Sequence, residues 1–176
     1  MKLAKGISIV GMTIGLVLIV TTGGCKKSTD AQMVPDGALR QHTSCKEFVA
    51  NASGPMDEFA PGPHDDCIEY QYNGRNTLTL SHINAGFNCC PGEITADIEF
   101  SGNTITITER EANQLCDCLC LFDLDYEIIN LAPGEYTLRV IGLYVHANDQ
   151  FLEFPLQLLS ETSGHYCRQR NYYPWK

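Results

Sequence analysis

From residue 77 onward, apolar and polar side chains alternate with a period of two. Leu78, Leu80 and His82 fall on one side of an extended segment, and Thr77, Thr79 and Ser81 on the other. This is the pattern of a half-buried strand rather than a helix. Ile94 to Phe100, the turn Ser101-Gly102-Asn103 and Thr104 to Glu109 predict a hairpin, with Ile105 and Ile107 alternating with threonines. Pro133-Gly134 marks a turn into a strand carrying Tyr136, Leu138 and Val140, which Gly142 interrupts. A last strand is expected over Phe151 to Leu158, where Pro155 requires a sheet edge. Short strands punctuated by Gly, Pro and Asn, with no apolar period of 3.6, predict an all-β sandwich.

The first residues follow a different grammar. Lys2 and Lys5 precede Ile7 to Val20, an uncharged apolar run of 14 residues. A membrane span needs about 20 residues, so this run fits the apolar region of a signal peptide. It leads through Thr22-Gly23-Gly24 into Cys25. The arrangement resembles the lipobox of bacterial lipoproteins, although Thr22 stands where that family usually has Leu. The resemblance implies cleavage before Cys25, acylation of its sulfur and its new amine, and a protein held at a membrane by lipid (palmitate among the acyl groups). Several acyl chains exceed the two-signal threshold for stable anchoring. Lys26 follows the cysteine, where some sorting systems place a retaining Asp, so the cell envelope and its outer membrane are the expected location.

Residues 1–24 are thus read as the leader, 25–44 as the lipidated cysteine and a flexible tether, and 45–176 as a cysteine-rich sandwich domain. The tether reading rests on Ser, Thr, Asp, Gln, Pro and Gly with few large apolar residues. Ala50 to Asp66, dense in Gly-Pro and acidic pairs, reads as a loop. The run from Leu131 to Leu138, in which Pro133-Gly134 delivers Tyr136, resembles a strand entry of immunoglobulin-like and fibronectin-like surface domains. That resemblance implies an immunoglobulin-like antiparallel sandwich and no activity.

The chain of 176 residues carries 12 Lys and Arg against 21 Asp and Glu. With no basic cluster after Lys27, it offers a nucleic-acid backbone nothing to hold. Nine cysteines point to an oxidising compartment. Once Cys25 is set aside for lipid, the even set Cys45, Cys67, Cys89, Cys90, Cys116, Cys118, Cys120 and Cys167 suits four bridges. If extended, Cys116, Cys118 and Cys120 share a face with sulfurs about 6 to 7 Å apart, and each must reach another segment. Cys89 and Cys90 suit two of them and Cys67 the third, leaving Cys45 with Cys167. This is one of about 105 pairings, among which spacing does not choose. The alternative is a thiolate site for zinc or copper built from Cys89, Cys90, Cys116, Cys118 and Cys120.

Other signals are weaker. Asp123, Asp125 and Glu127 alternate, but Ile128 stands where a calcium loop needs glycine, so a solvated strand face is expected. His64, Asp65, Asp66 and Cys67 are ligand types in sequence, yet neighbours in a loop rarely converge. His82, on an apolar face, reads as a hydrogen-bonded core or rim histidine. Tyr172, Tyr173 and Trp175 form an aromatic tail that either packs on the domain or offers a platform to a sugar. No nucleophile elbow, zinc-helix motif or phosphate loop occurs, so neither catalysis nor a cofactor is expected. The expected partners are the membrane through its lipid and an envelope protein or glycan.

Cys25→Ala should leave an unlipidated precursor that no longer partitions into the detergent phase of a cloud-point extraction. Unchanged partitioning would make the apolar run itself the anchor.

Overall fold

The computed structural model describes residues 33–46, 61–145 and 150–172. Nine strands are found among them: β1 (Asp36–His42), β2 (Asp65–Asn73), β3 (Leu78–Asn88), β4 (Ile94–Ser101), β5 (Thr104–Glu111), β6 (Leu119–Ile129), β7 (Gly134–Ile141), β8 (Leu152–Leu158) and β9 (Glu161–Gln169). They form a five-stranded sheet in the order β1-β6-β3-β2-β9 and a four-stranded sheet in the order β4-β5-β7-β8. The fold is all-β, with two sheets packed face to face, as the alternation predicts.

The core lies between the inner faces. Ile68, Tyr72, Leu78, Leu80 and Phe87 come from the larger sheet, and Ile105, Ile107, Leu138, Val140 and Leu156 from the smaller. Leu78 and Leu80, Ile105 and Ile107, and Leu138 and Val140 are each spaced by two, which explains why the sequence pattern located β3, β5 and β7. Pro155 sits in β8 at the edge of the smaller sheet, where its missing N–H breaks no interior ladder. Ahead of β7, the Tyr136 hydroxyl donates to the Ala132 carbonyl oxygen at 2.8 Å, closing the Pro-Gly turn on itself.

Three expectations are corrected. The compact unit begins at Met33 rather than at residue 45, because Asp36–His42 is a strand and not tether. Its backbone pairs with β6, while Arg40 reaches Glu127 and Gln41 reaches Asp125 across the same ladder. Secondly, the sandwich is not antiparallel throughout: β5 and β7 pair in parallel. The chain crosses to the other sheet as β6 between them, so β7 returns in the direction of β5. Thirdly, the loop expected over Ala50 to Asp66 has given way to β2 by Asp65; residues 47–60 lie outside the described residues.

Two turns depend on glycine for different reasons. Gly74 has φ +72°, and a Cβ there would stand 2.6 Å from the Glu161 backbone nitrogen at the start of β9. Gly102, in the β4–β5 turn, has φ +57° and nothing within 4 Å of such a Cβ. Gly102→Ala should therefore cost only the left-handed backbone penalty of about 1 kcal/mol. Gly74→Ala should cost about 3 kcal/mol, since backbone must also move. Urea melts of the two variants check this, and equal losses would contradict it.

Candidate functional site

Three inner-face positions break the apolar rule. Asp66 precedes Ile68 on the inner row of β2, His82 follows Leu78 and Leu80 on β3, and Glu109 follows Ile105 and Ile107 on β5. Asp66 lies near the start of β2, Glu109 near the end of β5 and His82 mid-strand just ahead of a bulge in β3, and the three meet in the interior. Arg170, immediately after β9, joins them because its backbone N–H is fixed on the His64 carbonyl. All four are buried, with 5% exposure or less.

They form a continuous chain. His82 Nδ1 donates to Glu109 Oε1 at 2.5 Å and its Nε2 to Asp66 Oδ1 at 2.7 Å. The other Asp66 oxygen accepts from Arg170 Nε at 2.7 Å and from Nη2. Arg170 Nη1 donates to the Gln150 carbonyl at 2.8 Å. At the far end, the Tyr126 hydroxyl of β6 donates to Glu109 Oε1 at 2.8 Å. Glu109 Oε2 is buried without a hydrogen-bond partner among the described residues.

With both ring nitrogens facing carboxylates, His82 is an imidazolium. Burial alone would lower its pKa, but the Glu109 charge and the hydrogen bonds to Asp66 and Glu109 outweigh it and carry the pKa from 6.5 to about 10. Burial, then the charge and hydrogen bond of Glu109, push the Tyr126 phenol well above its ordinary value. Two cations thus oppose two anions, and the cluster is neutral. Such a chain can hold strands from both sheets. His82 links the two carboxylates, Arg170 pairs with Asp66, and all four charged groups are buried.

Next to it, β3 carries a bulge between His82 and Ala85. Asn84 occupies the bulge with φ 68° and is fully buried. Its amide donates to the Gly62 and Asp65 carbonyls and accepts from Lys46 Nζ, while its backbone N–H reaches Asp123 Oδ1. Asparagine tolerates this backbone conformation because its side chain replaces the ladder bonds that the bulge removes.

All eight cysteines of the described residues are in disulfides: Cys45–Cys120, Cys67–Cys167, Cys89–Cys118 and Cys90–Cys116. Cys89 and Cys90 do take two of the three closely spaced cysteines. The expected Cys45–Cys167 tie and the Cys67 bridge to that trio do not form. Cys167 lies directly opposite Cys67 in the β2–β9 register, which fixes that pair and leaves Cys45 to Cys120. Nor do Cys116, Cys118 and Cys120 share an extended face, because β6 begins only at Leu119. Of the five cysteines considered for metal, Cys90 and Cys116 are paired apart. The sulfurs that converge within 4.8 Å are those of Cys89 and Cys120 together with Cys45.

The remaining candidates lie on the surface. Asp123, Asp125 and Glu127 line the outer face of β6, held by Lys46, by Gln41 with Ser81, and by Arg40 respectively. Asp65 accepts from the Gly62 N–H while Asp66 turns inward, so the run His64 to Cys67 does not converge. Tyr172 is exposed; Cys25, Tyr173 and Trp175 lie outside the described residues. An open groove of about 370 Å³ crosses the outer faces of β2, β3 and β9, lined by Glu69, Gln71, Thr79, Ser81, Ser163 and His165. Sequence reasoning missed the groove because β9 carries no large apolar alternation. It weighed Asp66 only among the ligand types of a loop and missed Glu109, although their period-two positions beside Ile68 and Ile107 were the available signal. No protein-family model, curated protein or solved structure matches the chain.

The raised pKa of His82 sets the sign of a pH dependence. Its contribution to stability is complete below pH 6.5 and is lost as pH rises towards about 10. Unfolding free energy should fall across that window, and His82→Gln should abolish the slope while costing about 3–5 kcal/mol near neutral pH. Stability that stays level or rises over the window would contradict the assignment.

Proposed function

We propose that the protein is a lipid-anchored component of the bacterial cell envelope whose non-enzymatic sandwich domain binds a partner or supports envelope structure. The leader and Cys25 support the anchor and the outer-membrane location. The interior chain carries the non-enzymatic reading: among the described residues, Asp66, His82, Glu109 and Arg170 are buried and paired with one another. What faces solvent is the polar outer surface of the larger sheet. Its groove offers amide, hydroxyl and carboxylate groups suited to hydrogen bonding with an envelope protein or a glycan.

We further place the domain in the immunoglobulin-like class. The return of the Tyr136 hydroxyl to the Ala132 carbonyl supports this, since a tyrosine bonding to backbone a few residues upstream is a mark of that class. The parallel β5–β7 pair and the five-plus-four division are where the strand order departs from its constant-type arrangement.

The reading is tested by the intact mass of the chain purified from an oxidising compartment, with thiol alkylation under native and denaturing conditions. Four bridges give a mass eight hydrogens below the reduced value, with no alkylation in the domain and no bound ion. Free thiols accompanied by zinc or copper would overturn it and make the cysteines a metal centre.

A further inference from the structure

Three of the four bridges gather where β3 ends and β6 begins, and two of them are neighbours. The Cys89 sulfur lies within 4.8 Å of both sulfurs of the Cys45–Cys120 bridge. Neither Cys90–Cys116 nor Cys67–Cys167 contributes to this group. The two neighbouring bridges also differ in access: Cys118 is exposed, while Cys120 is buried. Beside Cys118 opens a pocket of about 260 Å³ formed with Asn88, Gln114, Cys116, Leu119 and Tyr144.

We propose that Cys89–Cys118 and Cys45–Cys120 form a thiol–disulfide exchange site, entered by an external thiolate at Cys118 and discharging Cys45. In the first step the external thiolate attacks the Cys118 sulfur. A mixed disulfide forms there, the Cys89–Cys118 bond breaks, and Cys89 leaves as thiolate. Cys89 then attacks the Cys120 sulfur. The Cys89–Cys120 bond forms, the Cys45–Cys120 bond breaks, and Cys45 leaves as thiolate and takes a proton from water. Each step exchanges one sulfur–sulfur bond for another, so no oxidant or reductant beyond the incoming thiolate is consumed.

The surroundings keep the reacting groups in place. Cys89 N–H donates to the Cys118 carbonyl at 3.1 Å, so the two residues stay adjacent when their sulfurs part. Asn88 binds the flanking loop: its Oδ1 accepts from the Cys90 and Cys116 N–H groups and its Nδ2 donates to the Cys116 carbonyl. Reaction needs the sulfurs within about 3.5 Å, so rotation about one Cα–Cβ bond must close the remaining gap. Attack at Cys120 rather than Cys45 places the departing thiolate on the less buried residue. Cys45 belongs to the segment after β1, which the Thr43 and Lys46 N–H groups also fix to β6. Discharging Cys45 removes the covalent tie of that segment and retains its hydrogen bonds.

Cys118→Ser in the full chain, purified from an oxidising compartment, leaves Cys89 unpaired beside an intact bridge. After acid quenching, alkylation and peptide mapping, the expected product is a Cys89–Cys120 bridge with the label on Cys45. Label on Cys89 with Cys45–Cys120 intact would overturn the proposal. Cys116→Ser is the control, expected to place label on Cys90 and leave the other three bridges unchanged.

A wild-type experiment covers a variant that fails to fold. Limiting glutathione, or a dithiol oxidoreductase lacking its resolving cysteine, should become attached to Cys118 while label appears on Cys45. Reaction with glutathione marks a small thiol as sufficient, and reaction with the oxidoreductase alone marks a protein thiol as the source. Label that stays on Cys89 with either reagent contradicts the exchange.

Discussion

Burying a charge costs several kcal/mol unless an opposite charge and hydrogen bonds meet it, and four buried charges stand among the described residues. Asp66, His82, Glu109 and Arg170 come from β2, β3, β5 and the end of β9. Each is tolerable only because the next lies within hydrogen-bond distance. The chain therefore acts on register. A slip of one residue in β2 would send Asp66 to the solvent face and leave His82 and Arg170 charged in the interior. Apolar packing alone accepts many near-equivalent arrangements of Leu and Ile; a string of opposite charges accepts few. The link from His82 to Glu109 also joins the two sheets, so their relative placement and the strand registers answer to the same contacts.

The disulfides restrain what the charges do not reach. Cys67–Cys167 adds a covalent rung to the edge pair β2–β9, close to the Asp66–Arg170 contact. The other three bind the segment after β1 and the loops that leave β3 and enter β6. These stretches carry little apolar surface of their own. Closing loops of 26 to 100 residues removes unfolded-state entropy of about 3 to 5 kcal/mol each. A domain of this size buries enough apolar area to fold around a core, so the bridges serve its periphery more than its centre.

How far the chain could be read in advance follows from the same division. β3, β4, β5, β7 and β8 are visible in the period-two placement of Leu, Ile, Val and Phe. The edge strands of the larger sheet are not. β1 reads Asp-Gly-Ala-Leu-Arg-Gln-His and β9 reads Glu-Thr-Ser-Gly-His-Tyr-Cys-Arg-Gln; both owe their position to backbone pairing and to partners distant in sequence. The candidate site was half legible. His82 belonged to an apolar face by its spacing from Leu80, but nothing local showed that Asp66 and Glu109 would meet it from strands on either side of the core. Cysteine pairing was only partly legible. Cys89 and Cys90 were expected to serve two of the nearby trio, one choice among many, whereas Cys67 and Cys167 needed the β2–β9 register, which emerges only in three dimensions.

The two devices respond to different conditions, which constrains where recognition can take place. The charge chain is buried, with 5% exposure or less at each of its four charged members. Altering it means weakening the core. The outer face of β2, β3 and β9 is free of that obligation: its Gln, Ser, Thr and His side chains stand on strands whose inner rows already supply the stability. Residues there can change to suit a partner at little cost to the fold, as loops on a rigid scaffold do. The buried charges thus fix the inner faces, and the polar groove across the outer faces of β2, β3 and β9 is where side chains remain free to vary.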